Sequence, residues 1–363
     1  MPPLVTPTIE NLVAYEAGKP IEELARELGV SDAIKLASNE NPHGPSRLAI
    51  EALRGALGDA HRYPDAAAYR LREKLAERHR VRMEEIIQGN GSNELIELLI
   101  RTFTTRESHI VFAEPAFVMY KIGALAHGTP FSAVPLRELT HDLEAMAAAV
   151  KPNTRLLFVA NPNNPTGTYV GRAAVERLLR EVPPEVIIAM DEAYIEYADA
   201  PDFPDSIELR SLRERLVVLR TFSKIYGLAA LRVGYAVGPA VLVDYMNRVR
   251  APFNVGTLSQ IAAIAALDDH AHVENSRRTN QAERARLSTE LERLGLGVAP
   301  SQANFVFVDL RRDAGVVYQK LLRLGVIVRP FGNLPTSVRI TVGTPAENDR
   351  LLESLRTVLA EFV

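Results

Sequence analysis

The sequence predicts an α/β fold: a mostly parallel sheet in a large domain, followed by a smaller α+β domain. Three observations carry this. Near-continuous apolar runs at 109–113, 154–160, 186–190 and 216–219 alternate with helical segments, the pattern of parallel strands covered on both faces. Each run ends in a polar stretch, so these stretches collect along one edge of the sheet, where such folds bind ligands. A second set of strands, at 303–309, 325–329 and 337–342, follows a largely helical stretch from 257 to 294.

Composition narrows the function. The 363 residues exceed what one small core needs. Forty-two basic against 45 acidic residues give a net charge of −3, with no basic excess for nucleic acid or an anionic membrane. No apolar run approaches the ~20 residues of a membrane span. The start, Met1-Pro2-Pro3-Leu4-Val5-Thr6-Pro7, lacks the charged n-region of a signal peptide. Cysteine is absent, which excludes disulfides, thiolate metal sites and a cysteine nucleophile and agrees with a cytoplasmic protein. The histidines are scattered, with no metal-binding spacing, so no metal is expected.

Taken in order, residues 1–37 read as an arm and a short amphipathic helix that join the small domain. Ile21, Leu24, Ala25 and Leu28 form the helix's apolar stripe and Gly29 stops it. Residues 38–265 read as the large domain and 266–363 as the small one, with the boundary inside the long helical stretch. The loop Leu36-Ala37-Ser38-Asn39-Glu40-Asn41-Pro42-His43-Gly44-Pro45 is too irregular for core, and such loops often carry sites. Ile86-Ile87-Gln88-Gly89-Asn90-Gly91-Ser92-Asn93-Glu94 reads as strand, glycine turn and helix start, with Ser92 or Asn93 as cap. The free N–H groups of Gly91, Ser92 and Asn93 there suit a phosphate. It is no dinucleotide fingerprint, because Glu94 stands where the third glycine would be. A helix from 314 to 324 and a terminal helix from 346 complete the small domain.

The chemistry centres on Thr221-Phe222-Ser223-Lys224, after the strand 216–219, with Arg232 eight positions beyond the lysine. Partial burial and a nearby guanidinium lower a lysine's pKa, so that a neutral amine can attack a carbonyl. Thr221, Ser223 and Arg232 are suited to hold a phosphate. An amine beside a phosphate cup points to pyridoxal 5′-phosphate. That cofactor also needs an anion at its pyridine nitrogen, donors to its ring oxygen and a stacking ring. Asp191 follows a buried strand and is either a helix cap or that anion. Asn164, in Asn161-Pro162-Asn163-Asn164-Pro165-Thr166-Gly167, and Tyr194 can donate to the ring oxygen. Phe117 can stack, or simply pack in the core.

These runs resemble the fold-type-I, pyridoxal-phosphate-dependent aminotransferases over nearly the whole chain. N-P-N-N-P-T-G, D-E-A-Y and T-F-S-K-x-Y-G-L-A-x-L-R-x-G mark the class. K-L-A-S-N-E-N-P-x-G-P, R-Y-P-D, G-N-G-S-N-E, P-F-N-V, P-S-Q-A-N-F and R-I-T-V-G-T-P-x-E-N-D are similar to the histidinol-phosphate aminotransferase family. The resemblance implies a homodimer in which Tyr63 reaches the partner subunit's cofactor phosphate. It implies catalytic roles for Lys224, Asp191 and Tyr194, and substrate binding by Tyr15, Asn39, Arg329 and Arg339. Phe117 and Asn93 stand where that family more often has tyrosine and aspartate. The implied reaction is ping-pong transfer between histidinol phosphate and 2-oxoglutarate, with Lys224 moving the proton. Val328-Arg329-Pro330-Phe331-Gly332-Asn333 also resembles aromatic amino acid aminotransferases, so phenylalanine or tyrosine is the alternative amine donor.

Overall fold

The computed structural model describes residues 4–10, 12–14, 18–30 and 32–362. Tyr15 lies outside the described residues. Strand β1 (Ile34–Lys35) pairs in parallel with β11 (Val326–Ile327) and ties the N-terminal segment to the small domain. Leu24, in the helix Ile21–Leu28, packs with Leu322 and Ile327 there.

The large domain holds β2 (Ile86–Gly89), β3 (His109–Glu114), β4 (Phe131–Pro135), β5 (Thr154–Ala160), β6 (Ile187–Asp191), β7 (Leu216–Thr221) and β8 (Gly234–Val237). Their order is β2-β8-β7-β6-β5-β3-β4, and β8 alone runs antiparallel to its neighbours. The strands are apolar on both faces because both are covered. Val111, Leu157, Ile188 and Val218 join one core, and Ile110, Leu156, Ile187 and Val217 the other. Truncating Leu157 to Ala would cost roughly 2–5 kcal/mol through the cavity left behind.

Two strands of the large domain escaped the sequence reading. β4 is an edge strand of mostly half-buried residues, so it lacks the apolar run of its neighbours. β8 opens on Gly234, which reads as a turn. A side chain there has no room: a Cβ would lie 2.7 Å from the Ser92 nitrogen and 2.9 Å from the Arg220 carbonyl oxygen. The helix expected from 257 to 294 is two, Thr257–Asp268 and His270–Arg293. Asp269 caps the second, accepting the His272 N–H at 3.1 Å, and also accepts the Ser46 hydroxyl at 2.6 Å. Ala263 and Leu267 of the first helix belong to the large-domain core, whereas Leu287 and Leu291 of the second belong to the small-domain core.

The small domain contains β9 (Gly297–Val298), β10 (Phe305–Asp309), β12 (Arg329–Phe331) and β13 (Leu334–Thr341), in the order β12-β13-β10-β9. The helices Ala314–Arg323 and Pro345–Ala360 cover it.

Candidate active site

The carboxyl ends of β2, β3, β5, β6 and β7 open onto one cavity of about 280 Å³. Its walls bring together Lys224, Asp191, Tyr194, Asn164 and Phe117 with Ser92, Asn93, Thr221, Ser223 and Arg232. Asn39, Arg329 and Arg339 close it from the small-domain side.

Lys224 sits in the turn after β7. Its Nζ donates to the Ser38 carbonyl at 3.3 Å and lies 5.5 Å from the centre of the Tyr194 ring. Burial, reinforced by the Arg339 and Arg232 charges, pushes the amine down to about 7. At neutral pH a large share of it is therefore the free-base nucleophile.

Asp191 ends β6. Tyr120 donates its hydroxyl to Asp191 Oδ2 at 2.7 Å, and Oδ1 is buried with no hydrogen bond among the described residues. Burial raises the carboxyl's pKa, and the Tyr120 hydroxyl, the Ala193 backbone N–H and the Lys224 charge only partly offset this. A buried acceptor without a donor is costly unless a ligand supplies one. Behind it, Glu192 and Arg220 point to the opposite face. Arg220 donates to Glu192 Oε2 at 2.7 Å and to Asp205 Oδ1 at 2.6 Å, clamping the ends of β6 and β7 together.

The anion-binding side is the start of the helix Gly91–Phe103. Asn90, not Ser92 or Asn93, is the cap residue, and it makes no side-chain cap bond. Ser92 and Asn93 instead lie in the first turn, where N–H groups have no intrahelical acceptor. Asn93 turns its side-chain amide to Glu97 at 2.9 Å. Gly91 has φ +75, which favours glycine, and a Cβ there would fall 2.4 Å from Arg232 Nη2 and displace the guanidinium. Arg232 Nη1 donates to Ser223 Oγ at 3.2 Å, and the Ser223 N–H donates to Thr221 Oγ1 at 3.1 Å.

On the other side, Asn164 accepts Arg339 Nη1 at 2.5 Å through Oδ1, which commits only its amide NH2 to donate. Tyr194 accepts the Asn39 amide at 2.9 Å. Asn39 itself is fully buried at φ 55, and its N–H donates to Thr341 Oγ1 at 2.9 Å. One of its two side-chain N–H groups thus goes to Tyr194, and Asn39 ties that tyrosine to the small domain. Arg339 Nη2 donates to the Ala37 carbonyl at 2.6 Å. Arg329 and Arg339 are direct cross-strand partners between β12 and β13.

Tyr63 does not line the cavity. It is 82% exposed and stacks on Phe253, with ring centres 4.7 Å apart. Tyr120 is the residue that sequence reasoning missed. It lies three positions after Phe117, whose carbonyl accepts the Tyr120 N–H at 3.2 Å, and its ring meets the Phe117 ring edge-on at 5.9 Å.

The residues fit pyridoxal phosphate. The unmatched Asp191 Oδ1 suits a pyridinium N–H, the neutral-poised Lys224 amine suits an aldehyde, and the Gly91–Arg232 corner suits a phosphate. A fold-type-I enzyme using that cofactor is the class this edge of the sheet describes. The profile of class I and II aminotransferases matches residues 31–355. Histidinol-phosphate aminotransferase 2 of Pseudomonas aeruginosa is 50% identical over 361 residues, 98% of both chains. Histidinol-phosphate aminotransferase of Moorella thermoacetica is 48% identical, over 97% of this chain and 92% of that one. The crystal structure of histidinol-phosphate aminotransferase from Sinorhizobium meliloti in complex with pyridoxal 5′-phosphate matches with a TM-score of 0.91 at 27% identity, over 99% of this chain and 98% of that one. The chain belongs to the class I and II aminotransferases, enzymes dependent on pyridoxal phosphate, and within them to the histidinol-phosphate aminotransferase family.

Proposed function

We propose that the protein transfers the amino group of histidinol phosphate to 2-oxoglutarate, a ping-pong step of histidine biosynthesis in the cytoplasm. The observation that carries this is the Arg329–Arg339 pair across β12 and β13, at the wall opposite Lys224. Both guanidinium groups line the cavity, so their positive charges favour an anionic group on the substrate. A phosphate dianion takes a fork from each guanidinium, and a glutamate carboxylate can take one of them.

The bound cofactor supplies an aldehyde that captures amines and a pyridine ring that accepts electrons from the substrate's α-carbon. Lys224 Nζ would hold it, and the same amine, kept largely neutral by burial, would take the proton from the substrate's α-carbon. Asp191 Oδ1 accepts the ring N–H and keeps that nitrogen protonated. Asn164 and Tyr194 donate to the ring oxygen, and Phe117 covers one ring face. Gly91, Ser92, Asn93, Thr221, Ser223 and Arg232 hold the phosphate. Exposed Tyr63 reaches the phosphate of a second copy, so the working unit is a homodimer with shared sites.

The test is glutamate formation by the purified holoprotein from histidinol phosphate and 2-oxoglutarate. Glutamate appearing only when both substrates are present supports the reading. Glutamate from phenylalanine but not from histidinol phosphate would contradict it.

A further inference from the structure

Three separated motifs meet beside the phosphate corner, and none of them touches the reacting atoms. Glu94, in the first turn of the helix Gly91–Phe103, accepts the Asn90 N–H at 2.5 Å and the Asn254 amide at 2.6 Å through the same oxygen, Oε2. Asn254 in turn accepts Arg250 Nη1 at 2.6 Å. Arg250 Nη2 then donates at 3.0 Å to the carbonyl of Ala66, three residues after Tyr63. The chain Asn90–Glu94–Asn254–Arg250–Ala66 thus spans the phosphate turn, the 250–255 loop and the Tyr63 loop.

A carboxylate so near an expected phosphate is unfavourable by charge alone, so its presence needs a reason. Its geometry supplies one. Glu94 accepts the N–H just before Gly91, which fixes where the following N–H groups of Gly91, Ser92 and Asn93 point. Asn254 and Arg250 hold the carboxylate in that position, and Arg250 brings a compensating charge. The same loop carries Phe253 at φ 56, stacked on Tyr63. The chain's own phosphate turn and the Tyr63 that serves a second copy's site are thereby bolted to one another.

We infer that Glu94, Asn254 and Arg250 form a positioning relay that aims the phosphate turn, and that it sets affinity for the cofactor's phosphate rather than for its ring. The inference rests on the phosphate-cup reading above. The experiment compares the dissociation constants of pyridoxal phosphate and of pyridoxal, which lacks the phosphate, for the apo-form of wild type, Asn254→Ala, Glu94→Ala, Glu94→Gln and Arg232→Ala. A positioning role predicts about tenfold weaker pyridoxal phosphate binding in Asn254→Ala and Glu94→Ala, with pyridoxal affinity unchanged within about twofold. Glu94→Gln keeps an acceptor and should restore part of the loss. Equal weakening of both compounds, or of neither, in the two alanine variants overturns the inference. If Arg232→Ala also shows no phosphate-selective loss, the cup itself is misassigned. If Arg232→Ala shows that loss and the relay variants do not, the relay alone is refuted.

Discussion

Tyr120 donates its hydroxyl to Asp191 at 2.7 Å while its ring stacks on Phe158 at 4.8 Å and meets Phe117 edge-on. One fully buried side chain therefore fixes both the carboxylate proposed to pair with the pyridine nitrogen and the ring proposed to cover the cofactor. A hydrogen bond to a charged group contributes roughly 1.5–3 kcal/mol. Tyr120→Phe keeps the packing and removes that bond. We expect kcat of the cofactor-saturated enzyme to fall by about tenfold or more, with the melting temperature little changed. Unaltered kcat would show that Asp191 does not need the hydroxyl.

Asp191→Asn tests the anion itself. An amide cannot hold the ring proton by charge, and lost electrostatic pre-organisation costs about 2.7–4 kcal/mol elsewhere. The expected fall in kcat is therefore at least about a hundredfold in folded, cofactor-loaded protein. Near-normal turnover would remove Asp191 from the mechanism.

The Lys224 amine, held near 7 chiefly by burial, gives a signed pH dependence. Below 7 it is mostly protonated and cannot attack the aldehyde; above 7 it is mostly neutral. The rate at which apoprotein captures pyridoxal phosphate should rise about tenfold per pH unit below 7 and level off above it. A rise that continues to pH 10 would mean an ordinary, solvated lysine. Borohydride reduction followed by peptide mapping should place the pyridoxyl group on Lys224 and on no other lysine.

Tyr63 gives the test of a shared site. Neither Tyr63→Phe nor Lys224→Ala protein has a complete site under the proposed arrangement. A hybrid dimer of the two has one, made of Lys224 from one subunit and Tyr63 from the other. Mixing should restore cofactor affinity in the lysine-bearing site to the wild-type value. Affinity equal to that of the Tyr63→Phe parent would contradict the exchange.

Much of the site was legible because parallel strands end in it. Lys224, Asp191 and Asn164 each follow an apolar run that announces its own end, so the sequence alone puts the motifs on one edge. Features that depend on contacts distant in sequence were not legible. Tyr120 looks like one more aromatic in a helix, and nothing local says that Asp191 lies beneath it, 71 residues away in the chain. Asn39 carries a polar motif and lines the cavity, but nothing local shows that its amide also donates to Tyr194, 155 residues on. β8 was hidden because Gly234 reads as a turn, when its missing side chain is what lets the Ser92 backbone approach.

The central claim is that two arginines select a phosphorylated amine. It is tested most directly by kcat/KM for histidinol phosphate, glutamate and phenylalanine in wild type, Arg329→Ala and Arg339→Ala. Losing one partner of a buried charge contact costs roughly 2–5 kcal/mol, about thirtyfold or more. The account predicts histidinol phosphate well ahead of phenylalanine in wild type. It predicts a loss of that size for histidinol phosphate in either variant, and a glutamate reaction that depends on Arg339 more than on Arg329. Phenylalanine outpacing histidinol phosphate in wild type, or Arg329→Ala leaving histidinol phosphate untouched, would contradict it.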